Sequence, residues 1–215
     1  MIKNIIFDIG NVILQFDIKE VIPNFTKKES EKQFIINNII NSPEWLQYSL
    51  IDTGFISREQ AIEIVEDRTN HINDELIEKF WYRYNDYSFI NDNVIDIIKE
   101  LKEKDYKIYL LSNINSHTYN HIKDNKLFNL VDGYVFSYIE HQVKPYVGIY
   151  NTLLERYKLI PQECLFIDDD DTGRSFDTAN ALGINGRRVL PNNSADVLKL
   201  LEEYNIKLQG KMEEI

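Results

Sequence analysis

A single cysteine, Cys164, occurs in 215 residues. That excludes a disulfide framework and suggests a reducing compartment, the cytoplasm. No apolar run approaches the length of a bilayer span, so no transmembrane helix is expected. The stretch from Met1 to Gly10 meets Asp8 almost at once. It lacks the apolar segment and small-residue cleavage site of a signal peptide, and none is expected. Positive charge is scarce: 24 Lys and Arg face 35 Asp and Glu, a formal net charge of -11. Binders of nucleic acid or membrane surfaces need a basic face, and the balance argues against both. The same deficit sets a constraint. The overall field repels an anionic substrate, so its binding requires a local positive site, most simply a divalent cation with a lysine. What is present is apolar material for a core. Hydrophobic residues make up 43% and aromatics 12%. A disordered chain is thereby excluded, and the length fits one large domain or one domain carrying a smaller insert.

Lys3 to Phe7 reads as a short, buried, β-branched strand that stops at Asp8. Continuous apolar strands of this kind belong to parallel sheets covered on both faces. Lys107 to Leu111, Gly133 to Ser137 and Glu163 to Ile167 look the same, and Gly186 to Leu190 is a weaker case. Helical patterns separate them at Asp92 to Lys104, Tyr146 to Tyr157, Thr172 to Leu182 and Ser194 to Tyr204. Strands and helices alternating at this spacing predict an α/β fold, a doubly wound parallel sheet. The exception is Asp17 to about Ile90, helical in pattern and without a convincing strand. It reads as an inserted helical cap (17–90) on a core of 1–16 and 91–215. Inside it, Ser57 with Gln60 three residues on predicts a capped helix start. The tail from Gln209 to Ile215 is polar and expected to fray.

In an open parallel sheet, ligands bind at the carboxyl ends of the strands. Those ends deliver Asp8 with Gly10 and Asn11, then Ser112 and Asn113, then a loop to Lys144-Pro145, then Asp168 to Asp171. A lone Asp after a strand is usually a turn residue, and Asp8 taken alone reads that way. Four adjacent carboxylates are different. They repel one another, and directly after a buried strand they suit a hard cation such as Mg²⁺. Other features read as structural. His117 and His121 share a helix face but have no evident third ligand for zinc. Cys164 lies within a strand and reads as core. Trp81, Tyr82, Tyr84 and Tyr87 could stack on a sugar ring, but packing is the simpler account, as for Trp45 and Tyr48. Asn180 reads as structural too.

Phe7-Asp8-Ile9-Gly10-Asn11-Val12, Leu111-Ser112-Asn113, Lys144-Pro145 and Phe166-Ile167-Asp168-Asp169 follow one another along the chain. Together they resemble the ordered four-motif set of the haloacid dehalogenase (HAD) superfamily. Each motif alone is weak; four in order at strand ends are specific, and the similarity covers nearly the whole chain. The helical insert is similar to the family's C1-type cap. The opening motif and Leu111 to Asn115 look most like bacterial sugar phosphatases of the family, including the α-D-glucose-1-phosphate phosphatase type. The resemblance implies a hydrolase in which Asp8 attacks phosphorus to form an aspartyl-phosphate. It implies Mg²⁺ bound by Asp8, the Gly10 carbonyl and Asp169, with Asp168 a ligand through water or an orienting partner of Lys144. Ser112 and Lys144 would hold and stabilise the phosphoryl group. Asn11 and Asn113 would touch phosphate or fix their loops.

One departure stands out. The family's usual motif has a second Asp two residues after the nucleophile, as general acid and base, and here that position is Gly10. Such help is typically worth about 10²–10⁴ in rate. Asp17, His141 or water are the substitutes considered. Two other readings follow: dehalogenation of a 2-haloacid, and a catalytically weak phosphate-binding or regulatory protein. The substrate expected is a small phosphate ester; neither nucleic acid nor membrane is an expected partner.

Overall fold

The computed structural model describes residues 1–41 and 50–209. Seven strands occur among them: β1 Asn4–Phe7, β2 Leu14–Gln15, β3 Phe89–Ile90, β4 Lys107–Ser112, β5 Gly133–Phe136, β6 Cys164–Asp168 and β7 Asn185–Arg188. Five form one sheet in the order β5-β4-β1-β6-β7. Every pairing in it is parallel. The order reverses at β1, which places a crevice at its carboxyl end, where Asp8 lies.

The sheet is buried on both faces, and the strand sequences show why. Ile5 and Phe7, Ile108 and Leu110, Leu165 and Ile167 point into one apolar cluster. The helices Asp92–Glu103 and Ser194–Glu203 cover that cluster through Val94, Ile95, Ile98, Val197 and Leu201. Ile6, Tyr109, Leu111, Cys164 and Phe166 point to the other face. Ile149, Tyr150 and Leu153 of the helix Val147–Tyr157 and Ala179 of the helix Arg174–Ala181 pack there. Adjacent residues on a strand face opposite sides. Strands apolar at every position therefore need two helical layers, and full burial of each aliphatic side chain contributes roughly 1.5–3 kcal/mol.

The helices Ile18–Val21, Glu29–Ile35, Arg58–Arg68 and Asp74–Arg83 share a separate cluster. It contains Phe25, Ile35, Val65, Ile77, Phe80 and Trp81. Trp81 is thus buried in packing, while Tyr82 is exposed with the Arg58 guanidinium over its ring. Tyr87 packs edge-on against Phe25. Trp45 and Tyr48 lie outside the described residues, as does all of the tail beyond Gln209.

The stretch read as strand-free does contain one. Phe89–Ile90 pairs antiparallel with Leu14–Gln15, in the register Leu14↔Ile90 and Gln15↔Phe89. Two residues show no alternation to detect, and only the pairing defines them. The helix after the four aspartates begins at Arg174, two residues later than its pattern suggests. The Asp170 side chain takes the backbone N–H groups of Thr172 and Ser175 and holds a turn there. No helix among the described residues is long and apolar enough to cross a membrane.

The capping box is present: the Gln60 N–H donates to Ser57 Oγ at 3.2 Å, and the Ser57 N–H donates to Gln60 Oε1 at 2.8 Å. Ser57→Ala should therefore lower stability by about 1 kcal/mol. Urea unfolding monitored by circular dichroism tests it, and an unchanged midpoint would refute it.

Candidate active site

The site is assembled from the segments that follow β1, β4, β5 and β6 at the carboxyl edge of the sheet. Asp8 extends β1, its N–H donating to the Ile167 carbonyl at 2.9 Å. The chain then turns tightly: the N–H groups of Ile13 and Leu14 both donate to the Ile9 carbonyl. Asn11 takes a left-handed backbone there, which Asn tolerates better than most residues. Asp8 is 7% exposed, Lys144 7% and Asp168 2%, so these three charges have little access to water.

Lys144 Nζ lies 2.8 Å from Asp8 Oδ1 and 2.6 Å from Asp168 Oδ2. The ammonium thus bridges the two carboxylates, with its shorter hydrogen bond to Asp168. Asp8, Asp168 and Asp169 each place a carboxylate oxygen within 4.8 Å of the others. Three carboxylates against one ammonium leave an excess of two negative charges in a dry site. Burial pushes the Asp8 carboxyl up to about 7, aided by Asp168 and Asp169 and opposed by Lys144. Burial, then the Asp168 charge, also raises Asp169. Burial alone would strip Lys144 of its proton, but Asp168 and Asp8 outweigh it and raise its pKa. A divalent cation cancels the excess, and all-oxygen donors suit a hard one. These residues therefore fit Mg²⁺.

The run of four aspartates is divided. Asp168 and Asp169 face the cluster, while Asp171 is exposed. Burial would raise Asp170, but hydrogen bonds from Thr172 and Ser175 prevail and hold it down at about 2. Of the run, Asp168 and Asp169 stand beside Asp8, and the turn into the next helix takes up Asp170.

Ser112 is buried at the end of β4. Asn113 clamps the neighbouring loop: its Nδ2 donates to the Lys144 carbonyl at 2.9 Å, and its Oδ1 accepts from the Lys144 N–H at 2.7 Å. Asn11 Oδ1 is buried without a hydrogen-bond partner. A Cβ built on Gly10 meets nothing within 4 Å, and Gly10 is not left-handed. Position 10 thus has room for a side chain that the sequence does not supply.

Two of the suggested substitutes make hydrogen bonds of their own. Asp17 accepts the Lys19 N–H at 2.9 Å as an exposed helix cap. His141 Nδ1 donates to the Thr53 carbonyl at 2.7 Å, and its ring stacks on Phe55. His117 and His121 belong to neither metal-sized cluster among the described residues; the second, Glu66, His71 and Asp74, lies on the surface. Asn180 ties its helix to β7 through both backbone groups of Gly186. Burial raises the Cys164 thiol to about 11, as expected of a core residue.

Three residues escaped the sequence reading. Ser137 Oγ accepts the Ile114 N–H and donates to the Ile114 carbonyl, bracing the loop after β4. Asn115 caps the helix Ser116–Ile122 and reaches both Tyr84 and Asp52. Asp52 is half-buried, and burial lifts its carboxyl to about 7 against the Asn115 hydrogen bond. The signal for Asn115 was its position as a helix cap. Nothing in the local sequence marks the others.

The carboxyl end of β1, at the switch point of the sheet, thus gathers a buried carboxylate, a lysine and two more carboxylates. The pattern of the haloacid dehalogenase-like hydrolases matches residues 2–175, and the chain belongs to that family. No curated relative matches the chain. Among solved structures, it is similar to a HAD family enzyme of Bacteroides thetaiotaomicron in complex with magnesium and inorganic phosphate. The TM-score is 0.71 at 24% identity, covering 90% of this chain and 96% of that one. It is also similar to a predicted HAD-like hydrolase of Porphyromonas gingivalis, with TM-score 0.72 at 20% identity over 97% and 100% of the two chains. The L-2-haloacid dehalogenase of Xanthobacter autotrophicus matches with TM-score 0.64 at 16% identity, over 96% and 85%.

Proposed function

We propose that the protein is a Mg²⁺-dependent phosphatase of small phosphorylated metabolites, with sugar phosphates, including the α-D-glucose-1-phosphate type, as the first class to test. The observation that carries this reading is Asp8, a buried carboxylate paired with Lys144 at 2.8 Å and clustered with Asp168 and Asp169 at the end of β1. The magnesium- and phosphate-bound relative supports it. Asp8, Asp169 and the Gly10 carbonyl would hold the cation, with Asp168 bound to Lys144 behind them. Bound there, Mg²⁺ would offset the charge that keeps an anionic nucleophile from an anionic substrate.

Asp8 attacks phosphorus in line, and the ester oxygen departs with its electron pair. Lys144 aims Asp8 and stabilises charge on the phosphoryl oxygens, which Ser112 helps to hold. Asn113 keeps Lys144 in place through its backbone. Water then attacks phosphorus and releases inorganic phosphate and the Asp8 carboxylate. Residues 17–90 act as a C1-type cap over the 1–16 and 91–215 core. Their separate apolar cluster and the β2–β3 ladder at their borders support this. We place the protein in the cytoplasm on its single, buried thiol.

Dehalogenation is disfavoured. Its substrate carboxylate and departing halide are both anions, and Asp168 and Asp169 beside the nucleophile repel them. The test is phosphate release from a panel of sugar phosphates and other phosphometabolites, with Mg²⁺ and with EDTA. Turnover that needs Mg²⁺ is expected. Binding of Mg²⁺ and phosphate without turnover on any ester would replace this reading with the phosphate-binding one.

A further inference from the structure

We propose that Asp52 is the proton donor to the leaving group, a catalytic residue contributed by the 17–90 segment in place of the side chain missing at position 10. The assignment rests on the phosphatase reading above. Its first support is placement. Asp52 Oδ1 accepts from Asn115 Nδ2 at 3.3 Å, and Asn115 stands three residues beyond Ser112. The next residue, Thr53, accepts from His141, three residues before Lys144. Gly54 follows with φ +71°, and a Cβ there would lie 2.7 Å from the Tyr138 carbonyl oxygen. The turn after Asp52 is thus pressed against both loops that carry Ser112 and Lys144.

The second support is a free hand. Among the described residues, no hydrogen bond or ion pair engages the other Asp52 oxygen. Among the described residues, no cation forms an ion pair with it, and burial and Asn115 alone set its acidity. Tyr84, from the 84–87 turn, joins the same network: its hydroxyl accepts from Asn115 Nδ2 and shares a hydrogen bond with Thr118. His141 spends its Nδ1–H on Thr53, and Arg58, at the start of the next helix, pairs with Glu59. A carboxyl desolvated in this way, with its pKa at about 7, exists in both forms near neutrality. The third support is vacancy: Gly10 offers no acid, and Asp17 is an exposed helix cap.

The step balances. As the bond between Asp8 and phosphorus forms, the ester P–O bond breaks, and the departing oxygen takes the Asp52 proton. In the second half, the Asp52 carboxylate takes a proton from the attacking water, and the Asp8–phosphorus bond breaks.

The test compares two esters on the full chain with Mg²⁺. Glycerol phosphate has a basic leaving group that needs a proton, and 4-nitrophenyl phosphate does not. Asp52→Asn should lower kcat/KM for glycerol phosphate by about 10²–10⁴-fold and leave 4-nitrophenyl phosphate nearly unchanged. The alkaline limb of the glycerol phosphate pH profile should disappear. Gly10→Asp added to Asp52→Asn should restore part of the lost rate, because position 10 has open space. The ratio between esters is taken on one preparation, so a partly unfolded sample does not alter it; if Asp52→Asn fails to fold, Asp52→Ser is read the same way. Equal losses on both esters, or an alkaline limb that persists, would overturn the assignment while leaving the phosphatase reading intact. A wild-type chain inactive on both esters would overturn the two together.

Discussion

Asp8→Asn is expected to abolish Mg²⁺-dependent phosphate release, with a loss on the order of 10⁴–10⁶-fold in kcat, as for removal of other covalent nucleophiles. An amide cannot form the acyl-phosphate, and no other carboxylate can take over. Asp168 is tied to Lys144 through one oxygen and to the Asp170 N–H through the other. The same variant should change stability in the opposite sense. Burial sets the Asp8 pKa at about 7 in the metal-free fold, well above its unfolded value of about 4. A carboxyl raised in this way adds stability that is complete below the unfolded pKa and is lost as pH rises through about 7. In EDTA, wild type should therefore weaken between about pH 4 and 8 by a few kcal/mol more than Asp8→Asn does. Thermal unfolding at both ends of that range checks this, and activity assays check the first claim. Turnover surviving in the variant would remove Asp8 from the nucleophile's role.

Lys144→Ala is expected to cost both activity and fold. The ammonium sits between two buried carboxylates, at 2.8 and 2.6 Å. Removing one partner of a buried pair typically costs about 3–5 kcal/mol, because it strands the other. Loss of its charge from the transition state should lower kcat by roughly 10²–10³-fold. The part of the stability cost that comes from Asp8 should shrink as pH falls through about 7, where Asp8 becomes protonated and needs no partner. Urea unfolding at neutral and acid pH separates these effects. A variant as stable as wild type at pH 8 would show that the lysine does not neutralise this cluster.

The sheet and its two helical layers were legible because burial on both faces leaves an unmistakable composition. Ile5, Ile6 and Phe7 have no polar neighbour to mark an exposed side, and they proved to feed two separate clusters. The Ser57 cap was legible for a different reason, since all its contacts lie within four residues. Phe89–Ile90 was not, because a two-residue ladder exists only through its distant partner strand, in the Gln15↔Phe89 and Leu14↔Ile90 pairs. Within the site, Asp8, Lys144, Asp168 and Asp169 were found from strand ends. The fate of Asp170 was not, because a carboxylate in a turn and one on a metal are the same residue type after the same strand.

What the sequence determined by itself was which groups stand at the carboxyl ends of the strands, because strand ends follow from where apolar runs stop. It also determined that position 10 carries no acid. Tertiary structure alone decided what accompanies them. Asp52 meets Asn115 across 63 residues of chain, and Ser137 braces Ile114 across 23. Such pairings depend on how stretches far apart in the chain pack against one another. That packing is set by shape and burial summed over many residues, and no local pattern carries it.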